Sequence, residues 1–126
     1  MIVGVGVDLV EVERMRRLLE RKGDRALTRL FTAGEQAYAA SHPEPARQLA
    51  ARAAAKEAAY KALSGNDLAR AIGWRELEVA SVRGQAPLLL LHGRAVQRAA
   101  ELAVTRVHLS LTHTEAMAMA FVVAER

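Results

Sequence analysis

Residues 46–63, ARQLAARAAAKEAAYKAL, decide the fold. Alanine is the strongest helix former, and the Arg, Gln, Leu, Lys and Glu between the alanines rank close behind it. The stretch therefore predicts one long helix. Ser41-His42-Pro43-Glu44-Pro45 breaks the chain before it, and Ser64-Gly65-Asn66-Asp67 ends it. Leu49, Tyr60 and Leu63 fall on one face, the expected core side. Glu57 and Lys61, at i and i+4, share another face with Ala50, Ala53, Ala54 and Ser64. An acid and a base thus stand on a stripe of small side chains, which another backbone or a ligand can approach closely. The plainer reading of the same residues is a surface ion pair worth ~0.3–0.5 kcal/mol, with alanine present only for propensity.

Upstream, IVGVGVDLV (2–10) is β-branched and alternates with small residues, the pattern of a buried strand whose glycines admit a close neighbour. Asp8 is the one charge in it. It is costly there unless it is paired, hydrogen-bonded or on a metal, or unless the strand has already ended. Val12, Met15, Leu18 and Leu19 lie at helical spacing within 11–22, with Arg14, Arg17 and Arg21 on the opposite face. Gly23 is expected to end this helix, and Asp24 to cap a short one through Leu30. Thr32 and Glu35 form a capping-box pattern that starts another.

Downstream, a helical turn is expected around 68–72. Strands at 77–82 and 88–91 are joined by the Gly84–Pro87 turn, and a helix follows at 93–103. Val107, Leu109 and Leu111 alternate with His108, Ser110 and Thr112, a strand with one polar face. That face suits a phosphate or sugar, or is simply the outer side of an edge strand. His108 and His113 are an odd number of residues apart, which puts them on opposite faces of a strand and argues against a zinc pair. Residues 117–124 are a last apolar strand. The expected architecture is a single α+β domain over 1–126, an antiparallel sheet packed against the long Ala-rich helix.

Composition narrows the function. The chain has 126 residues and no Cys, so disulfide frameworks, thiolate metal sites and cysteine nucleophiles are out. No apolar run approaches the ~18 residues of a membrane span. MIVGVGVDLVEVER lacks a basic leader and is not expected to be a signal peptide. The net charge is +4, yet Arg14–Arg29 alone carries seven bases against two acids. Such a segment suits an acidic partner: nucleic acid, an anionic membrane or an acidic protein. Aromatics make up 4% and do not interleave with these bases, which disfavours a nucleic-acid module. Walker A, G-x-G-x-x-G, H-E-x-x-H and G-x-S-x-G patterns are absent. Hard-oxygen metal binding remains, with Asp8 and Glu57 the carboxylates in the least ordinary surroundings.

Taken in order, these elements resemble the holo-acyl-carrier-protein synthase family of 4′-phosphopantetheinyl transferases. The resemblance rests on Ile2-Val-Gly4-Val-Gly6-Val-Asp8-Leu9-Val-Glu11, Arg14 and Phe31-Thr32-Ala-Gly-Glu35. It continues in Arg52-Ala-Ala-Ala-Lys56-Glu57-Ala-Ala-Tyr-Lys61-Ala62 and His108-Leu-Ser110-Leu-Thr112-His113-Thr114. Two positions depart from it. Ala53 stands where a large aromatic is common, and Ser64-Gly65-Asn66-Asp67 replaces a Gly-Thr-Gly-like loop.

The resemblance implies transfer of the phosphopantetheine arm of coenzyme A to a serine of apo acyl carrier protein, releasing adenosine 3′,5′-bisphosphate. It implies Mg²⁺ held by Asp8 and Glu57, with Lys61 on a phosphate oxygen. Glu57, or a water that it or the metal holds, takes the serine proton. Arg52, His108, Ser110 and Thr112, with Gly84 and Pro87 of the turn, are implied for the nucleotide, and Arg14, Arg17 and Arg21 for the acidic carrier. A cytoplasmic homotrimer serving fatty acid or polyketide synthesis, with sites shared between subunits, is likewise implied. A non-catalytic subunit that kept the fold is the competing reading.

Overall fold

The structure, a computed structural model, describes residues 1–126. In chain order the elements are β1 (Ile2–Glu11), α1 (Val12–Lys22), α2 (Asp24–Leu30), α3 (Ala33–Ala40) and α4 (Pro45–Ala62). They continue with α5 (Asp67–Arg70), a 3₁₀ turn (Trp74–Glu76), β2 (Leu77–Ala80), β3 (Leu88–Leu91), α6 (Arg94–Glu101), β4 (Arg106–His113) and β5 (Met117–Glu125).

The central element is α4. Its alanines are buried on several sides at once, Ala50, Ala54, Ala55, Ala58 and Ala59 completely. A helix covered nearly all round cannot be read by amphipathic stripes. The small-residue stripe of Ala50, Ala53 and Ala54 is therefore core, and Tyr60, expected in the core, is 37% exposed. Its hydroxyl donates to the carbonyl of Arg70.

Alanine's small volume lets strands lie directly on this helix. A Cβ added at Gly4 would overlap the carbonyl oxygen of Ala62, and one at Gly6 that of Ala58. The two glycines thus set the β1–α4 distance at backbone contact. β1 pairs antiparallel with β5, and β5 with β4, in the order β1-β5-β4. Ala118, Ala120, Val122 and Ala124 of β5 face α4 and are buried. The other face is uncovered, which corrects the expectation of a buried first strand. Val5, Val7 and Leu9 are 51%, 47% and 57% exposed, and Phe121 42%.

β2 and β3 form the expected hairpin, but as a separate two-stranded sheet. Local signals hold elsewhere with small shifts. The Thr32–Glu35 capping box is complete. Gly23, at φ 54°, ends α1 by donating its N–H to Leu19. Asp24 makes no side-chain cap and is the first residue of α2. The turn expected at 68–72 begins earlier, because Asn66 caps it by accepting from the Ala69 N–H.

Candidate active site

Asp8 lies on the inner face of β1 with Gly4 and Gly6, so those glycines also bring its side chain against α4. There it meets Lys61: Oδ1 is 3.1 Å from Nζ, which also donates to the Val7 carbonyl at 2.9 Å. Asp8 is largely buried, and its Oδ2 has no partner. Glu57 stands one turn before Lys61. Burial first, then the neighbouring Asp8 carboxyl, push its carboxyl up to about 7, while Lys61 and Arg14 pull it down. Two carboxylates this close cannot both ionise freely without a proton or a cation between them. An orphaned buried oxygen and a second carboxylate reaching the surface fit a hard divalent cation. No third His, Cys, Asp or Glu joins them, and Mg²⁺ commonly takes one or two carboxylates and fills its remaining sites with water and phosphate.

Two cavities meet at Glu57. One, about 510 Å³, lies over α1 and α2. Arg14, Arg21, Lys22, Arg25 and Arg29 ring it, above an apolar floor that includes Met15, Leu18 and Ala53. The other, about 420 Å³, is walled by Tyr60, Ile72, Gly73, Trp74 and Leu77, with Lys61 and Arg70 beside them. Glu57 and Trp74 belong to both.

Behind the second cavity, Lys56 and Glu35 form an ion pair at 2.7 Å, both fully buried. Lys56 Nζ also donates to the carbonyls of Trp74 and Leu77, at 2.8 and 2.6 Å. Glu35 accepts from the N–H groups of Thr32 and Val79. Burial lowers the Lys56 pKa, and the Glu35 charge partly offsets that. In the sequence Glu35 is a cap and, like Lys56, part of the family resemblance without an assigned role, and Trp74 carries no expectation. No signal within either segment shows that the N3 glutamate of α3 meets the lysine among the alanines of α4, because the pair forms only when the two helices pack.

Asp8, Glu57 and Lys61 are brought together; the other expected site residues are not. Arg14 and Arg21 border the basic cavity, but Arg17 stands outside it, 3.7 Å from Glu13. Three cations of the α1–α2 region that the docking assignment omitted, Lys22, Arg25 and Arg29, complete the ring. Arg52 is buried, which the sequence reading did not expect. Its guanidinium stacks on Tyr38 at 4.1 Å and reaches Ser81 Oγ at 2.5 Å, so α4 turns it away from Glu57. Gly84 and Pro87 sit in the hairpin loop and line neither cavity. His108, Ser110 and Thr112 do share the outer face of β4. Residues directly opposite one another in a sheet share a face. Ser110 is opposite Phe121, and Phe121 opposite Val7, whereas Asp8 is opposite Ala120. The polar face of β4 and Asp8 therefore point to opposite sides of one sheet.

A family model described as the 4′-phosphopantetheinyl transferase superfamily matches residues 4–122. A relative from Alkalilimnicola ehrlichii named holo-[acyl-carrier-protein] synthase is 52% identical over 126 residues, covering 99% of this chain and 98% of its own. The crystal structure of holo-[acyl-carrier-protein] synthase from Neisseria meningitidis superposes with a TM-score of 0.86, at 30% identity and over all of both chains. That of the Bacillus anthracis enzyme, in complex with CoA (3′,5′-ADP), gives 0.77 at 29% identity over 98% of this chain and 96% of that one. The chain belongs to the 4′-phosphopantetheinyl transferase superfamily. Within it, the chain groups with the holo-[acyl-carrier-protein] synthases.

Proposed function

We propose that the protein transfers the 4′-phosphopantetheine arm of coenzyme A to a serine of apo acyl carrier protein, releasing adenosine 3′,5′-bisphosphate. The observation that carries this reading is the Asp8–Glu57–Lys61 constellation, where an orphaned carboxylate oxygen and a lysine flank a second carboxylate. The names of the relatives agree with it, and the Bacillus anthracis structure contains the donor's nucleotide.

In the reaction the serine oxygen bonds to the phosphorus that carries the arm. The bond from that phosphorus to the bridging oxygen of the nucleotide breaks, and the bisphosphate leaves with the electron pair. Asp8 and Glu57 would hold Mg²⁺, which when bound neutralises charge on the pyrophosphate oxygens. Lys61, already positioned by Asp8 and Val7, turns its ammonium to a phosphate oxygen. Glu57 receives the serine proton directly or through a water it holds.

The five-cation cavity is the carrier's docking place in this reading, since acyl carrier protein is acidic. Arg14 and Arg21 act from its rim, and Arg17 from outside it. His108, Ser110 and Thr112 serve the nucleotide of a neighbouring copy, because in their own chain they face away from Asp8. A homotrimer meets that requirement. The uncovered apolar face of Val5, Val7, Leu9 and Phe121 borders the same polar strand and is the surface it would bury. No helix is long and apolar enough to cross a membrane. The reading places the enzyme in the cytoplasm, in fatty acid or polyketide synthesis.

Mass spectrometry of apo acyl carrier protein after incubation with the protein, coenzyme A and Mg²⁺ tests the function. A gain of one phosphopantetheine arm is expected, and an unchanged carrier mass rejects the reading.

A further inference from the structure

α4 carries Lys61 in its last turn, and an arginine from α6 closes that end of the helix. Arg98 is 8% exposed. Its Nε donates to the carbonyl of Leu63 at 2.8 Å, and its Nη2 to that of Ser64 at 2.9 Å. A helix leaves its last carbonyls without partners, and a cation there also meets the negative end of the helix dipole. Nη1 donates to Glu101 Oε1 at 3.0 Å, and the same oxygen accepts from the Asn66 amide at 2.9 Å. Asn66 in turn caps α5. Gly65, at φ 132°, leaves room for the guanidinium, since a Cβ there would come within 3.0 Å of Nη2.

These contacts bear on Lys61. The N–H and the hydroxyl of Ser64 both donate to the Lys61 carbonyl, at 3.3 and 2.8 Å. The carbonyl of Ser64 is one of the two that Arg98 takes. From the same turn the Lys61 ammonium reaches across to β1, to the Val7 carbonyl and to Asp8. Gly4 lies against the carbonyl of Ala62 on that side. The last turn of α4 is thus fixed between β1 and Arg98. The loop that Arg98 holds, Ser64-Gly65-Asn66-Asp67, is the stretch where this chain departs from the family pattern. Loop, Arg98 and Glu101 form a matched set.

We propose that Arg98 is a positioning residue for the transfer reaction: by holding the Leu63 and Ser64 carbonyls it fixes the turn that aims Lys61 at the donor's phosphate. This rests on the transferase reading above and adds to it a residue that lines neither cavity. Without Arg98 the two carbonyls lose their donor, Ser64 is released and the last turn of α4 frays. Lys61 then leaves Val7 and Asp8. A misplacement of about 1 Å at a reacting group costs on the order of a hundredfold in rate.

The chain has three lysines, Lys22, Lys56 and Lys61, so acylation by an N-hydroxysuccinimide ester, located by peptide fragmentation in a mass spectrometer, reads their placement directly. Lys22 is exposed and serves as the internal reference, whereas Lys56 is buried and reacts only in unfolded protein. In Arg98→Met, Lys61 is expected to label about threefold faster relative to Lys22 while Lys56 stays protected. The kcat of this variant is expected to fall at least about tenfold. KM for the carrier should stay within about twofold, because the basic cavity borders α4 at Ala53 and Glu57, away from its last turn. Glu101→Gln keeps the arginine and weakens its anchor, so it supplies a milder variant with smaller changes in the same direction. Parental labelling of Lys61 in both variants overturns the inference. Labelling of Lys56 and Lys61 that rises together marks general loosening and overturns it too. A freed Lys61 with parental kcat overturns the role in the reaction. Absence of transfer by the parent protein overturns the transferase reading and the kinetic role with it, whereas the labelling is read on the folded protein alone and still decides whether Arg98 places Lys61.

Discussion

Lys56 and Glu35, from α4 and α3, meet at 2.7 Å with both side chains buried. Each also holds backbone: Lys56 the carbonyls of Trp74 and Leu77, Glu35 the N–H groups of Thr32 and Val79. Removing one partner leaves a buried charge uncompensated. Lys56→Met and Glu35→Ala are each expected to cost ~3–5 kcal/mol in urea denaturation. The double variant should cost less than the sum, because the stranded charge is gone, yet stay well below the parent, because four backbone groups lose their partner. Additive losses would show that the two residues do not act as a pair.

Gly6 is held at the carbonyl of Ala58. Gly6→Ala must push β1 off α4, and it carries Asp8 with it. A loss of about 3 kcal/mol, the upper end for overpacking because the clash is with backbone, is expected in thermal unfolding followed by circular dichroism. A stable Gly6→Ala protein with full activity would contradict the packing described.

The carboxyl of Glu57 sits at about 7 instead of its ordinary 4.5. The folded state therefore binds the proton more tightly than the unfolded chain does. That contribution is complete below pH 4.5 and is lost as the pH rises through 7. Metal-free protein should thus have a Tm that falls across this window. Mg²⁺ should raise the Tm more at pH 8 than at pH 5, since it replaces the lost proton. Asp8→Asn should flatten the fall only in part, because burial is the larger cause and remains. Equal Mg²⁺ shifts at both pH values would remove the cation from this pair.

Arg21 and Arg25 border the basic cavity, whereas Arg17 lies outside it. Arg21→Glu or Arg25→Glu should raise KM for the carrier about tenfold at low salt, with the difference shrinking as salt screens the charge. KM for coenzyme A should not move. Arg17→Glu should have the smaller effect. Arg14 is a poorer probe, because its charge also lowers the Glu57 pKa. Steady-state kinetics with each substrate varied separately checks this.

Phe121 stands opposite Val7 and Ser110 on the uncovered sheet face. Phe121→Glu should leave the chain folded but monomeric by light scattering. It should also lose most activity, as the nucleotide residues of the neighbour are withdrawn. A fully active monomer would return the whole site to one chain.

Helical spacing placed Glu57 and Lys61 one turn apart, and the capping box and the hairpin were legible in the same way. These rest on interactions within a few residues, which the sequence by itself determines. The meeting of Asp8 with α4 was foreseeable only as a suspicion about a charge in an apolar strand. Its distance from Lys61 was settled when two glycines let strand and helix backbones touch. Periodicity failed on α4 itself, where burial on nearly every side leaves no polar stripe to mark the core, so Tyr60 and Arg52 were both misplaced. Nor could alternation along β4 say which side of the sheet its polar face would share with Asp8, since that depends on the register of three strands distant in sequence. The Glu35–Lys56 pair, and the Trp74 and Leu77 carbonyls that Lys56 holds, likewise come together only after α3, α4 and β2 pack. Tertiary structure alone decided them, because desolvation and charge pairing act between elements that the sequence keeps apart.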